Sequence, residues 1–354
     1  MISLLFIGVL ALYIALNYLF LSSVFKIFSY RNKKKFTYLL VFFILLPLVS
    51  MFLHRFAGDR VGKWIYLLGI SYVGVIIISS YVFVFYRIIH LKYKKKYIGY
   101  TSLALVILLL SYSLYCGRSI VVKEIDIKTQ KIQESKKIVY MADIHIDTLN
   151  DEKYIEKIVK MTNEINPDMV LINGDLVDGT SLTHATFSGF DQIKAPIYAT
   201  LGNHEIYMGI PYVEEILAKT KIKLLRDEMI EEQGIQILGA DEIGARSKDA
   251  DTSKLQKFLA NNKIDSTKPA ILMLHEPVGM DIAEKSGIDL QVAGHTHDGQ
   301  IWPFSYLVKQ VFGYNYGLYN IGNMKFYITS GTGLWGPPFR LGTRNEIVVI
   351  NIGK

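Results

Sequence analysis

The first third of this chain contains four apolar runs, at residues 2–25, 36–53, 64–86 and 97–116, and none of them holds a charged side chain. A hydrocarbon core about 30 Å thick is crossed by about 20 helical residues. The four runs therefore predict four membrane-spanning helices. None shows the polar stripe of a helix lying on a soluble core. The first run has no basic segment before it and no small-x-small cleavage site after it, so it reads as a retained span rather than a signal peptide. The second is the shortest and carries Pro47.

Charge divides the chain at the same place. Residues 1–122 hold fourteen Lys and Arg against one acid, Asp59, whereas residues 123–354 hold 25 basic and 31 acidic residues. The net charge of +7 is thus +13 from the first third and −6 from the rest. A basic membrane region joined to an acidic soluble domain fits this asymmetry, and a nucleic-acid-binding surface does not. Loops 26–35 and 87–96 carry five basic residues each. Short loops rich in Lys and Arg stay in the cytoplasm. The expectation is a multi-pass protein of the cell (inner) membrane, in contact with the lipid bilayer, with everything after residue 116 extracytoplasmic. His54 and His90 fall at membrane boundaries. The single cysteine, Cys116, excludes an internal disulfide framework.

Three segments follow from this: a four-helix transmembrane region over 1–117, a stalk or entry strand over 118–137, and a soluble domain over 138–354. In the last, residues 138–143, 169–172, 196–201, 235–238, 270–274, 289–293, 325–329 and 346–351 read as strands. Residues 152–166 keep Ile155, Ile158, Val159 and Thr162 at helical spacing. Alternating strands and helices imply an α/β domain with a substantial sheet.

Five of the eight histidines sit in blocks of one style, directly after apolar runs. These are Asp143-Ile144-His145, Asn173-Gly174-Asp175-Leu176-Val177-Asp178, Gly202-Asn203-His204-Glu205, His275-Glu276 and Gly294-His295-Thr296-His297. The C-terminal edge of a sheet in open α/β folds is where ligands bind. An extended chain would put the i and i+2 side chains of Asp143 and His145, and of His295 and His297, on one side. Carboxylates, imidazoles and a carboxamide with no thiolate suit Mn, Fe or Zn, with Mg at an oxygen-rich position, and seven ligand groups suit two ions.

The order Asp-x-His, Gly-Asp, Gly-Asn-His-Glu, His, Gly-His-x-His resembles the calcineurin-like metallophosphoesterases, over residues 138–350. Four preceding spans and the ending Gly331-Thr332-Gly333-Leu334-Trp335-Gly336-Pro337-Pro338-Phe339-Arg340 resemble the bacterial membrane-associated phosphodiesterase branch. Asp298 departs from it, since Gly is expected there. The resemblance implies a four-layer αββα sandwich and a metal-dependent phosphoesterase with two divalent ions per chain. It implies Asp143, His145 and His297 as ligands of one ion and Asn203, His275 and His295 as ligands of the other, with Asp175 bridging. His204 corresponds to the catalytic histidine that protonates the leaving oxygen, which needs a group titrating near neutral pH. Asp143 or Asp175 would orient it. Asp178 and Glu205 read as loop-capping residues and His184 as a surface residue.

The implied reaction is hydrolysis of a phosphodiester, phosphomonoester or pyrophosphate, in a small phosphorylated molecule or an envelope lipid or glycan, with no protein or nucleic-acid partner. A cytoplasmic UDP-2,3-diacylglucosamine pyrophosphatase is the alternative within enzymes. A non-catalytic membrane sensor is the alternative outside them. Two further features stay open: the aromatic stretch 301–316, which is either core or an apolar flap, and Arg340 with Arg344 as binders of a second phosphate.

Overall fold

The structure is a computed structural model, and it describes residues 2–54, 56, 58–146, 151–178 and 184–354. It separates into two compact units, Met1–Tyr115 with Gly336–Phe339, and Cys116–Trp335 with Arg340–Lys354. Among the described residues, four helices of the first unit are long and apolar enough to cross a membrane. They are α1 (Ile2–Ile27), α2 (Lys33–Leu53), α3 (Gly58–Lys92) and α4 (Lys96–Arg118).

Helix α2 runs through Pro47 without a break. Proline lacks the N–H that would bond the Phe43 carbonyl four residues back, and the Tyr13 hydroxyl of α1 donates to that carbonyl instead, at 3.2 Å. A side chain at Gly69 of α3 would collide with Ser50, so that glycine sets how closely α2 and α3 approach. The polar Asn17 is buried and satisfied. Its amide donates to the Tyr13 carbonyl at 2.9 Å, and its oxygen accepts from the Tyr72 hydroxyl at 2.6 Å.

The second unit opens with β1 (Ile120–Lys128), β2 (Lys136–Met141), α5 (Glu152–Ile165) and β3 (Met169–Asn173). Then come α6 (His184–Phe187), β4 (Ile197–Thr200), α7 (Asn203–Met208), α8 (Ile210–Leu217) and β5 (Ile222–Leu224). A second half follows, with β6 (Glu228–Glu232), β7 (Ile235–Gly239), α9 (Ser253–Asn261), β8 (Ala270–Met273), α10 (Met280–Lys285) and β9 (Leu290–Ala293). It closes with α11 (Phe304–Phe312), β10 (Gly317–Ile321), β11 (Met324–Ile328) and β12 (Asn345–Gly353).

These strands make two six-stranded mixed sheets, ordered β1-β12-β2-β3-β4-β5 and β10-β11-β9-β8-β7-β6. Their facing sides share a core that includes Tyr140, Leu171, Ile271, Val292, Tyr327 and Val348. The outer side of the first sheet is covered by α5 and α8, and that of the second by α9 and α10. The result is a four-layer αββα sandwich, the architecture the resemblance implies.

Within the segment 118–137, residues Ile120–Lys128 form a strand. Strand β1 pairs in parallel with β12 over its whole length, and Ile125 and Ile127 face the inter-sheet core. Strands β5, β6 and β10 do not stand out in the sequence. β6 and β10 are edge strands of half-buried or exposed residues, and β5 has only three residues.

Candidate metal centre

All the histidine-bearing blocks meet at one edge of the sandwich. Asp143 and His145 follow β2, Asp175 and Asp178 follow β3, and Asn203 and His204 begin α7 after β4. From the second sheet come His275 after β8, and His295 and His297 after β9. The backbone there is not extended. Asp143, His145, Asp175, His295 and His297 all have positive φ, between 47° and 68°. This region costs a non-glycine residue of order 1–3 kcal/mol and persists only where the surroundings impose it.

The loops after β2 and β3 do impose it. They stay paired beyond the strands, through Asp143 N–H to the Gly174 carbonyl at 3.1 Å and His145 N–H to the Asp175 carbonyl at 2.8 Å. A side chain at Gly294 would strike the Asp143 carboxylate, and one at Gly202 the Asp175 carboxylate. The extended-chain rationale for the i and i+2 pairs is therefore corrected. His295 and His297 do not stand side by side: His295 Nδ1 lies 2.8 Å from Asn203 Oδ1, and His297 Nε2 lies 3.0 Å from His145 Nε2.

The ligand atoms fall into three overlapping groups, each within 4.8 Å: Asp143–His145–His297, Asp175–His275–His295 and His145–Asp175–His204. Asp175 belongs to two of them. Its Oδ2 is 3.2 Å from His275 Nε2 and 3.7 Å from His145 Nε2. Asp143 is fully buried, and so is His275.

The tautomers follow from the second contacts. His275 Nδ1–H donates to the Asn173 carbonyl at 2.8 Å, which leaves Nε2, buried and 3.2 Å from Asp175 Oδ2, as the ring atom that a cation would take. Likewise His145 Nδ1–H donates to Asp178 Oδ2 at 3.1 Å, and its Nε2 faces His297 Nε2 at 3.0 Å. Imidazole nitrogens and carboxylate oxygens converging in this way are the donor set of a divalent metal, which would take the place of the protons they share.

Electrostatics agree. Burial works against charge on His145. The hydrogen bond to Asp178 and the nearby carboxylates outweigh it and raise the imidazole to about 9. His275 is raised in the same way, against burial, chiefly by Asp175. Asp143 is pushed up by burial, with Asp175 alongside, against the pull of His275. Burial and the positive charge on His275 hold His295 down at about 3. Without a metal the site thus gathers protons to offset crowded carboxylates, and a cation supplies the same compensation.

Asp178 spans the two functions. Its Oδ1 accepts from His204 Nδ1 at 2.6 Å while Oδ2 accepts from His145. Neither Asp143 nor Asp175, the acids expected for the purpose, bonds to the His204 ring; Asp175 accepts instead from the His204 backbone N–H at 2.9 Å. Asp178 is therefore more than a loop cap, and the sequence signal was present in its place three residues after Asp175. Glu205 does cap the loops: it is buried and accepts from the N–H groups of Asp175, Val177 and Gly202.

Arg340 is fully buried and donates to the carbonyls of Ser330, Gly333 and His297 and to the Thr343 hydroxyl, so it is a structural strut rather than a phosphate binder. Arg344 donates to the Ser119 hydroxyl at 3.3 Å. Asp298 accepts from the Asn315 amide at 2.8 Å, fixing the turn after His297. His184 begins α6, and its side chain lies outside the described residues.

The mouth of the site is aromatic. The half-buried His204 meets Tyr207 and Trp335 edge to face, with ring centroids at 5.5 and 6.2 Å. Those two rings are 64% and 56% exposed. Trp335 is held through its backbone, which exchanges hydrogen bonds with the buried Gln300 side chain in both directions. Nothing in the order of the histidine blocks pointed to Gln300 or Trp335.

Residues 136–299 match the family model described as calcineurin-like phosphoesterase. An uncharacterized metallophosphoesterase of Campylobacter jejuni is 35% identical over 239 residues, which is 65% of this chain and 63% of that protein. One from Helicobacter pylori is 35% identical over 237 residues, with the same coverage. The chain thus spans less than two thirds of the length of these relatives. A zebrafish protein named as a transmembrane protein with a metallophosphoesterase domain is 31% identical over 251 residues, covering 65% of this chain and 56% of that one.

Proposed function

We propose, from the match of residues 136–299 to the calcineurin-like phosphoesterase family and the likeness to proteins named as metallophosphoesterases, that the chain is a membrane-anchored phosphohydrolase, cleaving a phosphodiester, phosphomonoester or pyrophosphate of an envelope lipid or glycan. The observation that carries this reading is the buried Nε2 of His275 facing Asp175 beside the His204–Asp178 pair. One ion would be held by Asp143, His145 and His297, a second by Asn203, His275 and His295, with Asp175 shared. Divalent ions there would polarise the phosphoryl oxygens and supply a water that is nucleophilic at neutral pH.

The rest is done by the chain. Asp178 accepts the His204 Nδ1 proton and so fixes the ring. His204 Nε2 is left to hand a proton to the leaving oxygen. Tyr207 and Trp335 wall the histidine on either side and limit its contact with bulk water. Glu205 keeps the backbone of Asp175 and Val177 in place, so the shared carboxylate and Asp178 hold their distance. The name of the zebrafish relative pairs the same two features, membrane helices and this domain.

The test is hydrolysis of bis-p-nitrophenyl phosphate by the full-length chain in detergent, loaded in turn with Mn, Zn and Fe, with metal content measured on the same samples. Two ions per chain and turnover with at least one metal are expected. One ion at full loading would remove the dinuclear assignment, and no turnover with any metal would remove the enzyme.

A further inference from the structure

Helix α11 follows the metal histidines and returns to them. Phe312, at its end, packs edge-on against His295 with ring centroids 5.6 Å apart. Val308 and Phe312 face the core under the second sheet. A second stripe of the same helix, Phe304, Leu307 and Val311, recurs at i, i+3 and i+7 and is left 37%, 59% and 40% exposed. Trp302, just before the helix, is 49% exposed, and Tyr306 within it 64%. The helix carries one basic residue, Lys309, and no acid.

Exposed aliphatic residues flanked by Trp and Tyr, with basic but no acidic charge, are the composition of a helix lying in the headgroup–acyl boundary of a bilayer. The connection to the apolar helices is also short: β1 begins at Ile120, and only Ser119 separates it from α4, the last of them.

We propose that the Phe304–Leu307–Val311 face of α11 docks into a lipid surface, so that the adjoining site takes its phosphoester from a lipid rather than from solution. The substrate class rests on the phosphohydrolase reading; the docking itself does not.

The experiment uses the full-length chain with Trp64→Phe and Trp335→Phe, leaving Trp302 as the fluorophore, in phosphatidylcholine–phosphatidylglycerol vesicles with plain or brominated acyl chains. Trp302 should lose about half its emission in the brominated vesicles, as an interfacial indole does. Leu307→Asp with Val311→Asp should abolish that loss, while the same pair made in the otherwise unsubstituted chain leaves turnover of dissolved bis-p-nitrophenyl phosphate within about twofold, since both side chains are exposed. Equal Trp302 emission in plain and brominated vesicles would overturn the docking. So would a double variant that loses soluble turnover and quenching together, because α11 would then be a support for the metal site. Absence of turnover in the unsubstituted protein, with quenching intact, would instead sink the phosphohydrolase reading and leave the docking standing.

Discussion

Asp178 makes the most specific residue-level claim, because one carboxylate bonds both His204, the proposed proton donor, and His145, a proposed metal ligand. Replacing His204 by Ala should lower kcat by roughly 10²–10⁴ for esters with poor leaving groups, and much less for activated aryl esters, which need no proton. Asp178→Asn keeps the shape but donates where it should accept. It should fall at the lower end of that range, roughly 10², with the same dependence on the leaving group. Equal losses on both ester types, with metal content unchanged, would take the pair out of the acid role.

A second consequence concerns protons. With His145 raised to about 9 and His275 also raised, both rings are protonated at neutral pH until a metal displaces the protons. Metal affinity should therefore rise with pH up to about 9, and calorimetry in buffers of different ionisation enthalpy should record proton release at pH 7. In the metal-free protein the sign for stability is opposite. The contribution of His145 is complete below 6.5 and is lost as pH rises through about 9. The identities of the ligand types were legible in the block order, whereas the partner of His204 was not. Strand periodicity says nothing about where side chains point once Asp175 and its neighbours leave the extended region.

At the scale of elements, Glu346 of β12 ties the two sheets together. Its buried carboxylate accepts from the hydroxyls of Tyr316, Tyr327 and Thr329 and from the Ser330 N–H. The loop it anchors backs the site, since Thr332 and Gly333 N–H groups donate to the Ala142 and Asp143 carbonyls at 2.8 Å. Glu346→Gln should cost about 1–3 kcal/mol, the usual penalty for spoiling buried hydrogen bonds to a charged group, and lower the melting temperature accordingly. A change below a few tenths would show that the network is replaceable. Central strands were readable because every residue in β3, β4, β8 and β9 is buried, giving mostly apolar runs, interrupted by Gln291 in β9 and ended by Asn173 and Thr200 in β3 and β4. β1 was readable only as an alternative to a stalk. Its partner β12 lies at the other end of the chain, and no local pattern announces a pairing that remote. The stretch 301–316 resisted assignment because α11 has both an inward and an outward apolar stripe, so neither of the two readings excludes the other.

For the whole molecule, orientation in the membrane separates the reading above from a cytoplasmic UDP-lipid pyrophosphatase. Loops 26–35 and 87–96 hold five basic residues each, and α2 is a continuous helix of 21 residues despite Pro47. Four crossings with both basic loops inside would place Lys354 outside. Alkaline phosphatase fused after Lys354 should be active. Fluorescence there from a reporter that matures only in the cytoplasm would reverse the placement and favour the UDP-lipid substrate. The fold class and the four spans were visible in composition and periodicity, but the division of the metal ligands between two sheets was not. Asp143, His145, Asp175 and Asn203 belong to loops of the first sheet, and His275, His295 and His297 to loops of the second. Each of the two outer clusters, Asp143–His145–His297 and Asp175–His275–His295, draws on both. During synthesis, then, no stretch of the growing chain can capture an ion at either cluster until residues near 297 have emerged and the two sheets have met. On the dinuclear reading, metal acquisition would be a late, single checkpoint on assembly, and a half-made chain would stay inert as a hydrolase.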